Sequence, residues 1–195
     1  MNGAYAPPPL DCSGGMKCAN FGPLWYNQQD KNHSKRDANM MTKVLFVCHG
    51  NICRSPMAEF VMKALVKERG IEDDFYIESA ATSSEELGNP VYPPARRKLL
   101  EHGIDPDGKT ARRIIKKDYE DHDYLIGMDY WNLKNMERAY AGDPEHKLHL
   151  LRDFTDTPGE IDDPWYTGDF DTAYAQIKKG CEGLLDHILK EGELR

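Results

Sequence analysis

Short apolar runs alternate with segments of helical periodicity over most of the chain. Four of the runs predict buried strands, and apolar spacing together with Gly and Pro stop signals predicts the helices between them. The predicted strands are 43–47, 75–80, 124–128 and 147–151, and the predicted helices are 56–69, 94–102, 110–119, 130–140 and 170–190. Because strands that alternate with helices form parallel sheets, we expect one doubly wound α/β domain, with a four-stranded parallel sheet and helices on both faces.

The first 40 residues show neither the apolar pattern of a strand nor that of a helix. They contain Pro7-Pro8-Pro9, Gly14-Gly15 and a polar run from Asn27 to Asn39. Such a segment buries too little apolar surface to offset the entropy lost on ordering. We therefore expect a disordered N-terminal extension over 1–40 and a folded domain over 41–195.

Composition narrows the classes of function. The 195 residues are 39% hydrophobic and 30% charged, with a formal charge of −8, which fits a globular domain but not a nucleic-acid binder with a basic surface. No stretch approaches the ~20 apolar residues of a membrane span, and no signal peptide is recognisable. The five cysteines, an odd number, favour free thiols in a reducing compartment. We expect a cytoplasmic protein that binds neither nucleic acid nor membrane.

The most informative segment joins the first predicted strand to the first predicted helix. It is Cys48-His49-Gly50-Asn51-Ile52-Cys53-Arg54-Ser55, here called the Cys48 loop. Inward-facing amides and a helix N-terminus would attract an anion, and Arg54 would offer a planar fork to two phosphate oxygens. The same environment favours the thiolate form of Cys48, which is a nucleophile. Ser55 suits the helix N-cap and Gly50 a tight turn. The loop predicts transfer of a phosphoryl group to sulfur.

The wider sequence resembles a known family. Pro56-Met57-Ala58-Glu59 after the loop, Gly88-Asn89-Pro90 and Asp163-Pro164-Trp165-Tyr166 match the low-molecular-weight protein tyrosine phosphatases, and the resemblance covers roughly residues 42 to 190. It implies a flavodoxin-like fold and hydrolysis of phosphotyrosine, in a protein or a small aryl phosphate, through a cysteinyl-phosphate. It implies no metal and no organic cofactor.

The resemblance also assigns roles to individual residues. Cys48 is expected to be the nucleophile, Arg54 the phosphate clamp and Asp163 the general acid. The phosphate- and substrate-binding residues implied by the family are His49, Gly50, Asn51, Ile52, Cys53, Ser55, Trp165 and Tyr166. Ser79 is expected to support the loop through Asn51, and Ser55 to stabilise the thiolate as a leaving group.

Several alternatives stay open on the residues alone. Asp105, Asp143 and Asp163 all precede proline, and Asp162 is adjacent to Asp163. Of the three, only Asp163 sits in a long loop beside two aromatic residues, which favours it slightly, and the resemblance selects it. Glu85 stands where some family members carry an aromatic residue, which leaves the substrate preference open. Cys53 could form a disulfide with Cys48, as in the family, or could pack as a small apolar side chain.

Three other functions use similar features. Arsenate reductases need downstream cysteines, and here only Cys181 follows Cys53. Protein-arginine phosphatases carry threonine at the position of Ile52. A non-catalytic phosphotyrosine-binding module would be expected to lose Cys48 or the acid. His146 and His149 have no third metal ligand nearby in sequence, so we expect no metal site, and the oligomeric state is left open.

Overall fold

The computed structural model describes residues 41–193, with side chains to residue 192. The predicted N-terminal extension, 1–40, lies outside the described residues. The strands are β1 Thr42–Cys48, β2 Phe75–Ala81, β3 Tyr124–Gly127 and β4 Leu148–Leu150. The helices are α1 Arg54–Glu68, α2 Pro93–Glu101, α3 Lys117–Asp121, α4 Tyr130–Tyr140, α5 Pro164–Thr167 and α6 Phe170–Glu193, with 3-10 turns at Glu72–Asp74 and Leu151–Phe154.

The four strands form one parallel sheet in the order β2-β1-β3-β4. Side chains Val44 to Val47 of β1 are fully buried because helices cover both faces. Val44 and Phe46 pack with α1, α2 and α6, whereas Leu45 and Val47 pack with α3 and α4. The predicted fold class is confirmed. Within residues 41–193, no helix is both long enough and apolar enough to cross a membrane.

The sheet order places β1 at a topological switch point. The chain goes from β1 to β2 on one side and returns to β3 on the other. The connections therefore diverge at the carboxyl end of β1 and leave a crevice there, which is where open α/β sheets bind ligands. Cys48 is the last residue of β1 and lies at this crevice.

Two glycines allow α6 to approach the 3-10 turn that follows β4. A Cβ atom on Gly183 would lie 2.0 Å from the carbonyl oxygen of Phe154, and one on Gly180 would lie 2.5 Å from Cγ of Leu151. Only glycine fits at such distances without a shift of the backbone. This contact fixes the start of the chain segment that leads to Asp163.

The predicted helix over 110–119 is wrong for most of its length. Helical structure is confined to α3 and its N-cap Lys116, and residues 110–115 are non-helical, with isolated bridges from Arg113 to Ala81 at the end of β2 and from Thr110 to Pro90. The Ala81 amide donates to the Arg112 carbonyl and the Ile114 amide donates to the Ala81 carbonyl, at 2.7 and 2.9 Å. Tertiary hydrogen bonds of the backbone therefore replace the local bonds of a helix, which overrides helix propensity.

Candidate active site

Cys48 lies at the floor of a pocket at the carboxyl end of β1. Its side chain is almost fully buried, with Ser55 Oγ 3.0 Å from the sulfur. The backbone amide of Asn51 donates to the same sulfur at 3.3 Å. The N-terminus of α1 begins at Arg54, so its dipole adds positive potential beside the sulfur. Each of these groups is placed to interact with negative charge on the sulfur.

Asn51 holds the loop in an unusual conformation. Its φ of 59° lies in the left-handed region, which asparagine tolerates better than most residues. The side-chain amide donates to Ser55 Oγ at 2.9 Å and to Ser79 Oγ at 2.8 Å, and its oxygen accepts from the Arg112 backbone amide at 3.1 Å. These bonds use both ends of the amide and keep the strained turn in place. The Asn51–Ser79 contact is the one that the resemblance implied.

A buried carboxylate stands behind this pair. Ser79 Oγ donates to Glu59 at 2.6 Å, and Glu59 is nearly inaccessible to solvent. Lys109 lies 2.9 Å and Lys63 2.5 Å from the Glu59 carboxylate, so its charge is compensated. A buried charge is stable only when it is paired in this way. Lys109 was not singled out from the sequence, since nothing in its local pattern links it to the Cys48 loop.

Arg54 is held by three acceptors. Nη1 donates to Asp129 at 2.7 Å and to the Ile161 carbonyl at 3.0 Å, and Nη2 donates to Asp163 at 2.6 Å. Burial opposes the charge of Arg54, but Cys48, Asp163 and Asp129 together raise its pKa above the ordinary value. Asp129 was missed in the sequence. It lies two residues after the end of β3, and that position at the carboxyl end of a neighbouring strand was the available signal.

Asp163 is the one carboxylate of the Asp-Pro pairs that lines this pocket. Its Oδ1 accepts from the Trp165 amide at 3.1 Å, which caps α5, while Oδ2 contacts Arg54. Asp105 instead pairs with Arg96, and Asp143 accepts from the Tyr119 hydroxyl. The neighbouring Asp162 is exposed and does not line the pocket.

The pocket has a volume of about 140 Å³ and a rim of mixed character. Trp165 is 51% exposed, and its ring packs on Tyr92 at a centroid distance of 4.8 Å, so it both anchors α5 and lines the rim. Tyr166 is 83% exposed. Glu85 contributes an acidic group and lies 3.0 Å from His49 Nε2. Nine of the predicted site residues line the pocket: Cys48, His49, Gly50, Ile52, Cys53, Arg54, Asp163, Trp165 and Tyr166. The other three, Asn51, Ser55 and Ser79, lie behind them and do not line it.

A family model described as low molecular weight phosphotyrosine protein phosphatase matches residues 43–194. The chain belongs to this family. The predicted family and the predicted enzyme class, a protein-tyrosine phosphatase and hence a hydrolase, are thereby confirmed.

Named relatives agree with the family model. The low molecular weight protein-tyrosine-phosphatase YfkJ of Bacillus subtilis is 40% identical over 157 residues, which cover 79% of this chain and all of the relative. The crystal structure of YfkJ matches with a TM-score of 0.76, 37% identity and coverage of 77% of this chain and 96% of that chain. A Drosophila arginine phosphatase matches with a TM-score of 0.69 and 35% identity, covering 75% of this chain and 98% of that one.

Two details of the Cys48 loop differ from the sequence-based expectation for this phosphatase. The helix begins two residues earlier than a Ser55 cap requires, with Cys53 at the N-cap and no side-chain cap. The Ser55 hydroxyl is therefore available to the sulfur. Gly50 does not adopt a positive φ, and the left-handed residue of the loop is Asn51. A Cβ on Gly50 would lie 3.1 Å from Cγ of Glu86, so close packing favours glycine there.

The second cysteine of this phosphatase's loop has a different chemical character. Burial, with the nearby Cys48, raises the pKa of the Cys53 thiol. Cys53 is therefore protonated at neutral pH and is a poor nucleophile. Both thiols are free in the structure, so a Cys48–Cys53 disulfide stays a prediction.

One group of potential metal ligands occurs among the side chains of residues 41–192. It consists of Glu78, Asp118 and His122, not of His146 and His149. Arg112 donates to Glu78 at 3.1 Å and to Asp118 at 3.0 Å, so a guanidinium already neutralises these carboxylates. The hydrogen bond from His122, together with Arg112, lowers the pKa of Glu78 to about 2 in spite of its partial burial. This group holds the backbone that donates to Asn51.

Proposed function

We propose that residues 41–195 hydrolyse phosphotyrosine in proteins, and small aryl phosphates, with Cys48 as nucleophile, Arg54 as phosphate clamp and Asp163 as general acid. One observation carries the proposal: the Cys48 thiol, the Arg54 guanidinium and the Asp163 carboxyl line one pocket of about 140 Å³. A nucleophile, a cation fork and an acid in one pocket are the groups that phosphoryl transfer to sulfur needs.

In the first step the Cys48 thiolate attacks phosphorus. An S–P bond forms while the P–O bond to the aryl group breaks, and the Asp163 carboxyl gives its proton to the departing phenolate. The Cys48-loop amides and the Arg54 fork stabilise charge on the phosphoryl oxygens as it develops. The products are a phenol and a cysteinyl-phosphate.

In the second step water attacks the same phosphorus. The Asp163 carboxylate accepts the proton from water, a P–O bond forms, and the S–P bond breaks to release inorganic phosphate. The sulfur leaves as a thiolate, and Ser55 Oγ at 3.0 Å together with the Asn51 amide stabilises it. The enzyme returns to its starting state.

The contacts of Arg54 suggest how the acid becomes available. Asp163 accepts from Nη2, whereas Asp129 and Ile161 accept from Nη1. We propose that a phosphoryl group competes with Asp163 for Nη2 and frees its carboxyl for the leaving group. Asp129 would hold the guanidinium in the same orientation throughout.

A protein-arginine phosphatase activity is the second candidate, because a Drosophila arginine phosphatase is among the matching structures. We favour phosphotyrosine for two reasons. Ile52, at the position where the arginine-directed relatives carry threonine, is buried and lines the pocket. Trp165 and Tyr166 also line it and can pack on an aromatic ring.

The two steps use only groups of the chain and water, so we propose no metal or organic cofactor. We also propose that the enzyme works in the cytoplasm, because a thiolate nucleophile needs a reducing compartment. A tyrosine-phosphorylated protein is the proposed physiological substrate.

Competing substrates test the proposal. Wild-type protein is assayed near pH 6 on p-nitrophenyl phosphate, a phosphotyrosine peptide and a phosphoarginine peptide of otherwise identical sequence, with Cys48→Ser as the control for contaminating phosphatases. We expect a higher kcat/KM for the phosphotyrosine peptide. A higher kcat/KM for the phosphoarginine peptide would make phosphoarginine, and not phosphotyrosine, the substrate. No turnover of any of the three compounds by reduced, folded protein would overturn the proposed function.

A further inference from the structure

A second cavity, of about 220 Å³, adjoins the catalytic pocket. His49 of the Cys48 loop lines both cavities, so they meet at this residue. The polar side chains that line the second cavity are His49, Thr82, Ser83, Arg113, Asn135 and Arg138. No carboxylate lines it among the described residues, whereas Glu85, Glu86 and Asp163 line the catalytic pocket.

The backbone around this cavity is fixed to the Cys48 loop. The Thr82 amide donates to the Cys48 carbonyl and the Ser83 amide to the His49 carbonyl, both at 2.9 Å. Arg113 belongs to the non-helical segment whose Ile114 amide bonds to Ala81. Arg138 lies on α4, where its Nη1 donates to Oδ1 of Asn135 at 3.5 Å. The cavity therefore keeps a set position relative to the nucleophile.

The two arginines of the cavity, Arg113 and Arg138, are exposed, and their ion pairing differs from that of the arginines near the Cys48 loop. Arg54 and Arg112 are each bonded to carboxylates. Within residues 41–192, neither Arg113 nor Arg138 forms an ion pair. Guanidinium groups of this kind bind carboxylates and phosphoryl groups through two parallel hydrogen bonds. The chain has a formal charge of −8, whereas the two arginines make this cavity locally positive.

We propose that this cavity is an anion subsite that binds an acidic or second phosphorylated residue of the polypeptide substrate, close in sequence to the phosphotyrosine. The proposal rests on the proposed function. Because the cavity adjoins the pocket at His49, a neighbouring side chain of the substrate can enter it while the phosphotyrosine occupies the catalytic pocket. The acidic rim at Glu85 and Glu86 would repel the same side chain, so the two regions together orient the peptide.

Binding at this subsite is remote from the reacting bonds. It should lower KM and leave kcat nearly unchanged, because it stabilises ground state and transition state equally. It should also weaken as salt screens the exposed arginines. p-Nitrophenyl phosphate has no side chain to place there, so its turnover should not depend on the subsite.

The test compares phosphotyrosine peptides that carry Glu, phosphoserine, Gln or Lys at each flanking position in turn. At low salt we expect the best Glu or phosphoserine peptide to exceed its Gln counterpart in kcat/KM by roughly threefold to tenfold. The Arg113→Gln, Arg138→Gln double variant should abolish this preference and keep turnover of p-nitrophenyl phosphate. Arg97→Gln, an exposed arginine that lines another cavity, is the matched control and should change nothing.

Reversing the charge of both arginines should reverse the charge preference of the subsite. The Arg113→Glu, Arg138→Glu double variant should prefer the Lys peptide. A stronger effect of phosphoserine than of Glu would assign the subsite to a second phosphorylated residue, and the reverse would assign it to a carboxylate. Equal kcat/KM for Glu, phosphoserine and Gln peptides, or the same loss in Arg97→Gln, would overturn the subsite.

Affinity measured without turnover separates the two proposals. The same peptides are titrated against the Cys48→Ser protein, and the expected ratios of Kd match those of KM. If wild type does not hydrolyse p-nitrophenyl phosphate, the proposed function fails while the Kd ratios still decide the subsite. If it does and the Kd ratios are all close to one, the subsite alone fails.

Discussion

The interior of the Cys48 loop and the rim of the pocket above it are built on different principles. Inside, Asn51, Ser55, Ser79 and Glu59 are buried and joined by hydrogen bonds of 2.6–2.9 Å. At the rim, Tyr166 is 83% exposed, and the exposed Glu85 contacts His49, which is itself exposed. A buried polar network tolerates few substitutions, whereas an exposed side chain can change at little cost in stability. The interior therefore fixes the chemistry, and the rim is free to set the substrate.

The largest effect should come from the residue that joins the two regions. Arg54→Lys keeps the charge but cannot donate to Asp129, Ile161 and Asp163 from one planar fork. We expect kcat/KM for p-nitrophenyl phosphate to fall about 10²–10³-fold, the cost of losing a transition-state donor. Arg97→Lys serves as the control. A loss of less than about tenfold would show that charge alone, and not the fork, matters.

Asp163→Asn should have a smaller effect that depends on the leaving group. The amide cannot donate a proton to phenolate, so turnover of phenyl phosphate should fall about 10²-fold, while an activated aryl phosphate should lose far less. The slope of log kcat against leaving-group pKa measures this difference. An equal loss for all leaving groups would remove Asp163 from the acid role, and Asp162→Asn should leave the slope unchanged.

Glu78→Gln probes the support of the interior through pH. The folded-state pKa of Glu78, about 2, lies below its ordinary value near 4.5, so its charge stabilises the fold above that ordinary value and the contribution disappears as pH falls towards 2. Because the side chain is partly exposed, solvent screening reduces the stabilisation that this pKa shift implies. At pH 7 the variant should lose about 1–2 kcal/mol in the free energy of unfolding. Urea denaturation at several pH values checks this.

The gap between wild type and Glu78→Gln should narrow between about pH 5 and pH 2. Glu72→Gln, an exposed glutamate in the 3-10 turn before β2, is the control and should show no such gap. A gap that stayed constant with pH would mean that packing, and not the charge of Glu78, supports the segment.

The smallest effect is expected at the rim. Tyr166→Ala should reduce kcat/KM for a phosphotyrosine peptide by roughly twofold to tenfold through KM, the scale of one aromatic contact. Folding stability should stay the same, because Tyr166 is exposed. Tyr130→Ala, which is also exposed but does not line the pocket, is the control. A loss of stability in Tyr166→Ala would contradict the division between interior and rim.

The same division explains what could be predicted from the sequence. The bounds of β1 and the position of the Cys48 loop between β1 and α1 were predicted closely, because a short buried strand and a dense motif are local signals. Asp129 and Lys109 were missed, since each reaches the site only through the tertiary fold. The segment 110–115 was predicted as helix because its charged residues have helical propensity, whereas its bonds to Ala81 and Asn89 are non-local. The pairing of His49 with Glu85, 36 residues apart, carries no sequence pattern at all.

The most direct test of the account is to locate the phosphoryl group during turnover. Wild type and Cys48→Ser are mixed with p-nitrophenyl phosphate without added metal, quenched with acid, and mapped by peptide mass spectrometry. We predict turnover and a phosphoryl group on Cys48 in wild type, and neither in Cys48→Ser. A phosphoryl group on another residue, or turnover that persists in Cys48→Ser, would contradict the assignment of the interior of the Cys48 loop as the site of the chemistry.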